Sequence, residues 1–487
     1  MSEVRTVARN TFLLTLAQAI VIICGMISMK LTTTGLGVED YGLFGYANSF
    51  NTIICSLMDL GLATLATREL ARNRSLAGKY LSNFLTIRLL LAVIVLTAII
   101  TAGYLGLLPA GGKYVVFIVS LSVIFSVLTG IFTAIFQSYE KMEYISVQTA
   151  MTSVLTMLAA AIMFYFKLDV VGYSVLYSLA YLVVLMYCIW VCAGKFTMPV
   201  LAFNPGFWKE SISESVPFGI TSIFGIIYYQ FGTVYLQYKQ SETAVGVFRA
   251  PFNLFMTILF VPQVLTTVLY PVMSRHFIAS QGSLQKVFNK FLKYITIVAL
   301  PMGIGTTILA DKIIYTFTSD QYTGSIVVLQ ILIWAAVFIF LSNAFATLLN
   351  SSNLQRTGMI ISFICMILNV VLNIWLVPAY SSVGVAIATT VTEFVMLALL
   401  TLACLRLKNT LSMDSIVSIA KSGASCLLMG AYLLYFRAEN LVLLVIMGAA
   451  IYFAALYLLR TLDNEDVNII KSILLSKIKI REAKNNE

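Results

Sequence analysis

The sequence predicts an all-α polytopic membrane protein of about fourteen transmembrane helices, and three observations lead there. Of its 487 residues 60% are hydrophobic and 11% charged, with a mean hydropathy of +0.93, whereas water-soluble domains carry about a quarter charged residues. Charges are missing from Leu89 to Gly112, Val115 to Ser138, Val170 to Gly194 and Ile326 to Asn350, each long enough to cross about 30 Å of hydrocarbon as a helix. The apolar runs also lack the alternation over about ten residues that β-barrel strands require.

Taken in order, apolar runs between charged or turn-rich breaks place helices near 10–34, 41–66, 80–108, 114–138, 144–166, 170–194 and 216–238. A further seven fall near 246–273, 288–310, 322–350, 355–377, 381–405, 416–436 and 441–460. The first run is long, lacks a small-residue cleavage pattern and leads straight into further spans, so it reads as a transmembrane helix and not as a signal peptide. Loops are short, the longest stretches outside the spans being Phe196 to Ser215 and the tail after Arg460. In that tail, Asn468 to Ile480 alternates Ile and Leu with lysine, the pattern of an amphipathic helix on the inner leaflet or of a plain anchoring tail. Pro251, Pro262 and Pro301 fall inside spans, where they permit bends.

An even number of helices puts both termini on one side, and basic residues say which. Of 31 lysines and arginines, 23 fall on the side of the termini and 7 on the other, with Arg88 left inside a helix. The richer side is therefore expected to be cytoplasmic, and the net charge of +10 is mostly topology. No soluble domain is present to carry the basic face of a nucleic-acid binder.

The chain repeats itself. Tyr41-Gly-Leu-Phe opens the second helix and Val245-Gly-Val-Phe opens the eighth. Ser75-Leu-Ala-Gly-Lys-Tyr-Leu-Ser-Asn-Phe-Leu returns as Ser283-Leu-Gln-Lys-Val-Phe-Asn-Lys-Phe-Leu. Both echoes are separated by six helices, which predicts two six-helix lobes of the same orientation. The expected division is 1–200 for the N-lobe, 201–408 for the C-lobe, 409–462 for two extra C-terminal helices and 463–487 for a cytoplasmic tail.

Catalytic chemistry finds little material. The seven cysteines are scattered through apolar segments, and only Cys188 and Cys192 are close, so they read as small hydrophobes. His276 is the single histidine, no metal-ligand cluster or Walker motif is visible, and no cofactor is expected.

Leu36-Gly-Val-Glu-Asp-Tyr-Gly-Leu-Phe-Gly-Tyr, Asp59-Leu-Gly-Leu-Ala-Thr-Leu-Ala-Thr-Arg-Glu-Leu-Ala-Arg, Gly246-Val-Phe-Arg-Ala-Pro and Leu269-Tyr-Pro-Val-Met-Ser-Arg follow one another along the chain. This succession resembles the Wzx-type polysaccharide and O-antigen flippases of the multidrug, oligosaccharidyl-lipid and polysaccharide (MOP) exporter superfamily, which also holds lipid II flippases and cation-coupled multidrug antiporters. The resemblance covers nearly the whole chain. It implies two six-helix lobes around a central cavity that opens alternately to each side, with cations for a diphosphate and sugar acids. It further implies a polyprenyl-diphosphate-linked oligosaccharide as substrate, membrane lipids as surroundings, and polysaccharide polymerase and glycosyltransferases as pathway partners in a cytoplasmic membrane.

Ionisable groups inside spans are costly and face a cavity or a partner. Arg249 lies just inside the eighth helix beside Pro251, where the related lipid II flippases also carry an arginine; its planar fork suits a diphosphate, and the alternative is snorkelling to the outer headgroups. Arg88, inside the third helix, is a second cavity cation or reaches the inner interface. Lys30 ends the first helix and either guides anionic headgroups or anchors the interface; Lys239 occupies a comparable place after the seventh. Glu393, near the middle of a span, is protonated, pairs with a cavity arginine or binds a coupling cation. Asp59 and Arg68 are read as a cytoplasmic gate or a helix-end pair, and Gln18, Asn48, Asn51, Gln137, Gln230, Asn253 and Gln263 as path-lining residues or interhelical glue.

Two other readings compete. A drug and cation antiporter of the same superfamily should show more acidic than basic groups in its cavity, and here the intramembrane balance leans basic. A membrane polymerase or glycosyltransferase should show a large extracytoplasmic loop or a carboxylate-rich metal site, and neither is visible.

Overall fold

The structure, a computed structural model, describes residues 3–109, 111–279, 281–405 and 413–461. The predicted tail helix at Asn468 to Ile480 lies outside them. The described residues form fourteen α-helices: α1 (Glu3–Cys55), α2 (Leu62–Arg72), α3 (Ala77–Tyr104), α4 (Lys113–Ser138), α5 (Met142–Phe166), α6 (Val170–Lys195) and α7 (Pro205–Lys239). The rest are α8 (Glu242–Ile258), α9 (Phe260–Ala279), α10 (Gln281–Phe317), α11 (Ser325–Ser351), α12 (Gln355–Leu405), α13 (Met413–Tyr435) and α14 (Leu441–Leu458).

Eleven helical segments are long and apolar enough to cross a membrane, which makes this a multi-pass membrane protein. Their outward faces agree: Val93, Ile94, Trp190, Trp375 and Leu427 are each more than 60% exposed, an apolar surface that only lipid tolerates. Tyr104, Tyr165, Tyr238 and Tyr435, all at or beside helix ends, are exposed, as expected of amphipathic rings at the headgroup level.

The predicted spans and the helices correspond, with informative differences. α1 joins the first predicted span to part of the second, doubling at Gly37 (φ 76°, ψ 179°), a conformation that glycine adopts without a Cβ clash. α12 joins the eleventh and twelfth across Ser381 (φ 51°, ψ −132°), three residues after Pro378. The second predicted span breaks at Asp59–Gly61, where Leu60 and Gly61 take φ of 43° and 79°. The eighth breaks between α8 and α9, three residues before Pro262, which has no N–H to give the Ile258 carbonyl four residues earlier and whose ring crowds it. α7 starts at Pro205, within the stretch expected to be a loop, with the Asn204 side chain accepting from Phe207 N at 3.2 Å.

Cα proximity groups the chain into two compact units. The first comprises the described parts of Met1–Thr257, Ile314–Leu332 and Met359–Thr392. In it α1 packs along α5 and α7, and Ala159, Ala160, Met163 and Tyr173 form a core with Phe44 and Leu36. The doubling at Gly37 is received by residues 320–322: Tyr322 Oη donates to Gly37 O at 3.0 Å and Val38 N to Gln321 Oε1 at 3.1 Å. The second comprises the described parts of Ile258–Ile313, Ile333–Gly358 and Glu393–Glu487. There α10, α13 and α14 bury Leu309, Met429, Leu433, Leu444 and Leu456, and Tyr452 Oη donates to Ile297 O at 2.9 Å. All seven cysteines are buried, and none forms a disulfide among the described residues.

Candidate functional site: a buried arginine beside two polar cavities

The site starts from three glycines in the first unit. A Cβ at Gly42 would collide with the Glu242 carbonyl, and one at Gly246 with the Val38 carbonyl. Their absence lets α1 and α8 touch backbone to backbone, the small-residue contact by which membrane helices approach closely. One turn on, Gly45 leaves room for the stem of Arg249, whose Cγ would lie 2.8 Å from a Cβ there.

Arg249 is 9% exposed. Its Nη1 donates to Ser49 Oγ at 3.3 Å on α1 and to Gln230 Oε1 at 3.4 Å on α7, and its guanidinium carbon lies 5.4 Å from the centre of the Phe252 ring. Nε has no hydrogen-bond partner, and Arg249 forms no ion pair among the described residues. A guanidinium has five N–H donors, so most of its capacity is unspent. It borders a cavity of about 430 Å³ shared with Gln18, Tyr41, Asn48, Tyr173, Tyr177 and Asn253. Asn253 Nδ2 donates to Tyr41 Oη at 2.7 Å, fixing α8 against α1 one turn beyond the arginine.

A second cavity of about 280 Å³ lies at the break between α1 and α2. It is lined by Thr52, Ser56, Asp59, Ser122, Ser126 and Ser222, with Tyr177 and Tyr181. The break is fixed by a close crossing: a Cβ on Gly61 would meet Gly219 N and Ser215 O of α7. Asp59 Oδ1 accepts from Ala63 N at 3.3 Å and also pairs with Arg88 Nη2. Arg88 is 1% exposed, and its Nη1 donates to Val127 O at 2.6 Å. A buried charge without compensation costs on the order of several kcal/mol; Arg88 has a carboxylate, and among the described residues Arg249 has none.

The remaining sequence candidates separate by place. Asp59 and Arg68 are not joined: Asp59 meets Arg88, while Arg68 meets Glu69 and Glu214, and so links α2 to α7. Lys30 Nζ donates to Thr318 O at 2.6 Å and Tyr315 O at 3.4 Å, closing the end of α10. Lys239 is exposed and lies 5.0 Å from the Tyr238 ring centre. Glu393 is buried on α12, 4% exposed. Gln18, Asn48 and Asn253 line the larger cavity, Gln230 serves Arg249, Asn51 donates to Val116 O at 2.9 Å as interhelical glue, and Gln137 and Gln263 are exposed. Sequence reasoning passed over Tyr173, Tyr177 and Tyr181, although their spacing of four puts them on one face of α6.

A family model described as "Polysaccharide biosynthesis protein" matches residues 7–277, and a second, MatE, matches residues 217–375. No curated protein matches the chain by sequence. Among solved structures, the lipid II flippase MurJ in an inward closed conformation superposes with a TM-score of 0.76 at 16% identity, covering 91% of this chain and 98% of that one. An inward-facing multidrug resistance MATE family transporter of the MOP superfamily gives 0.62 at 15% identity, over 80% and 96%. The MATE multidrug transporter DinF-BH gives 0.60 at 18% identity, over 84% and 97%. The fold is that of the MOP superfamily.

Proposed function

The chain belongs to the polysaccharide biosynthesis protein family, and from that premise we propose that it is a flippase carrying polyprenyl-diphosphate-linked oligosaccharides from the cytoplasmic to the outer leaflet. The observation that supports this most is Arg249: a nine-tenths buried guanidinium without a carboxylate partner among the described residues, beside a polar cavity. Its free donors suit a diphosphate, which accepts paired N–H bonds and supplies the missing counter-charge. The lipid tail stays in the bilayer, and the protein shields the headgroup and the sugars.

Movement is by alternating access of the two six-helix lobes, 1–200 and 201–408. The Arg68–Glu214 pair between α2 and α7 is the cytoplasmic gate, with Asp59 behind it at the helix break. Arg88 holds Asp59, Lys30 fastens the end of α10 through two carbonyls, Lys239 guides the headgroup at the exit, and Glu393 is the coupling or charge-partner group. The protein sits in the cytoplasmic membrane with both termini inside, and supplies lipid-linked repeat units for surface polysaccharide such as O-antigen.

A second reading, cation-coupled multidrug antiport, is favoured by the MatE match over residues 217–375. It wants a free carboxylate in the larger cavity, and the charged group lining that cavity is Arg249. The test is transport of a fluorescent polyprenyl-diphosphate oligosaccharide in proteoliposomes, wild type against Arg249→Ala at matched protein levels. Transport by the wild type with loss in the variant supports the flippase; no transport by either folded protein, together with efflux of a cationic dye, overturns it.

A further inference from the structure

The two cavities of the first unit share two residues, Asn48 of α1 and Tyr177 of α6. Tyr177 is the middle member of a ladder: Tyr173, Tyr177 and Tyr181 recur every four residues, which advances about 6 Å along the helix at each step. Tyr173 borders the cavity of Arg249, Tyr181 borders the cavity of Asp59, and Tyr177 borders both. Adjacent rings lie 5.9 Å and 5.2 Å apart, and the Tyr177 and Tyr181 hydroxyls are 3.3 Å apart. Phe44 of α1 braces the ladder, 4.9 Å from Tyr173 and 5.0 Å from Tyr177.

Besides the rings, the lining of the smaller cavity includes neutral hydrogen-bonding groups: Asn48, Thr52, Ser56, Ser122, Ser126 and Ser222. Thr52, Ser56, Ser122 and Ser222 already donate to carbonyls of the preceding helical turn, which keeps their cost in a membrane interior low and leaves their lone pairs to accept from a ligand. A lipid chain would use none of these groups. An inorganic cation would find one carboxylate, Asp59, already engaged by Arg88. Aromatic faces with a ring of hydroxyls and amides instead suit a ligand that is neutral, has flat apolar C–H faces and has a polar rim, which describes a pyranose.

We propose that Tyr177 and Tyr181, braced by the buried Tyr173, form a glycan track, on which successive neutral sugar rings stack while the diphosphate is held at Arg249. This rests on the flippase reading and adds to it a residue-level site for the sugars. A C–H face that packs on an aromatic ring is common to many pyranoses, so the track selects for length and neutrality more than for sugar identity. The phosphate end is anchored by charge at one cavity, and sugars beyond the first extend past Tyr177 toward Tyr181.

The test compares two carriers in proteoliposomes: undecaprenyl diphosphate bearing one N-acetylglucosamine, and the same carrier bearing a linear N-acetylglucosamine pentasaccharide. Tyr181→Leu should lower pentasaccharide transport about tenfold while changing single-sugar transport less than about twofold, Tyr177→Leu should lower transport of both, and Tyr177→Phe should stay within about threefold of wild type for both. A second readout needs no transport: free pentasaccharide, lacking lipid and diphosphate, should raise the unfolding midpoint of detergent-solubilised wild type and Tyr177→Phe but not of Tyr181→Leu. Equal losses for both carriers in Tyr181→Leu, no loss for either, or no stabilisation of wild type by the free pentasaccharide would overturn the track. Wild type that moves neither carrier yet is stabilised by free pentasaccharide would overturn the flippase reading while supporting the sugar site.

Discussion

Arg88 donates to the Asp59 carboxylate, and the pair joins the interior of α3 to the break between α1 and α2. Arg88 is fully buried while the Asp59 side chain is 32% exposed to the smaller cavity. The two ends of the pair are therefore unequal: the arginine depends on the aspartate for compensation more than the reverse.

Removing one partner should show this asymmetry. Asp59→Ala strands a buried guanidinium and should destabilise the protein by about 3 kcal/mol, whereas Arg88→Met in the Asp59→Ala background should recover most of that loss. Unfolding midpoints in detergent for the two singles and the double check it. Additive losses would show that the pair does not act as a unit.

The glycine contact between α1 and α8 makes a second expectation. Gly42→Ala places a methyl into the Glu242 carbonyl, and Gly246→Ala into that of Val38; each should cost about 1–3 kcal/mol through forced backbone separation. Gly25→Ala, whose new Cβ meets nothing within 4 Å, is the control and should be neutral or slightly stabilising. Thermal unfolding of the three variants decides it.

Lys30 reads as a fastener. It donates to two carbonyls at the end of α10, where a cation is worth about 0.3–1 kcal/mol. Lys30→Ala should lower the unfolding midpoint slightly and leave lipid-linked oligosaccharide transport within about twofold of wild type. A large loss of transport at unchanged stability would return Lys30 to the substrate path.

Glu393 is buried in a span, and Glu393→Gln removes its charge and keeps its shape. Transport with and without an imposed cation gradient separates its roles. If Glu393 couples ion to substrate, the variant loses the gradient dependence and keeps basal transport; unchanged gradient dependence removes it from coupling.

The long spans were legible because a lipid-crossing helix needs a run of apolar residues whatever it packs against, as in α4 and α11. About the first three turns of α7 were not, because Pro205 to Ser215 carries Lys209, Glu210 and Glu214 and reads as loop. The break at Asp59–Gly61 sits in an apolar run whose sequence differs little from continuous helix; Gly61 was the signal, and its meaning lies in the contact with Gly219. The site was legible in part for a similar reason. Composition marks Arg249 and Arg88 equally as costly intramembrane cations, but only the fold says that Asp59, 29 residues from Arg88 in sequence, compensates one of them. The tyrosines of α6 escaped notice because aromatic residues are common in membrane helices, and their use depends on cavities that no single segment encodes.

The most direct measurement is binding of undecaprenyl diphosphate and of uncharged undecaprenol to purified protein, wild type against Arg249→Ala, by native mass spectrometry. Wild type should prefer the diphosphate, and Arg249→Ala should lose that preference by about a hundredfold, a change of ~2.7 kcal/mol, with undecaprenol binding unchanged. An undiminished preference for the diphosphate in folded Arg249→Ala would contradict the assignment of the buried arginine as the anion site.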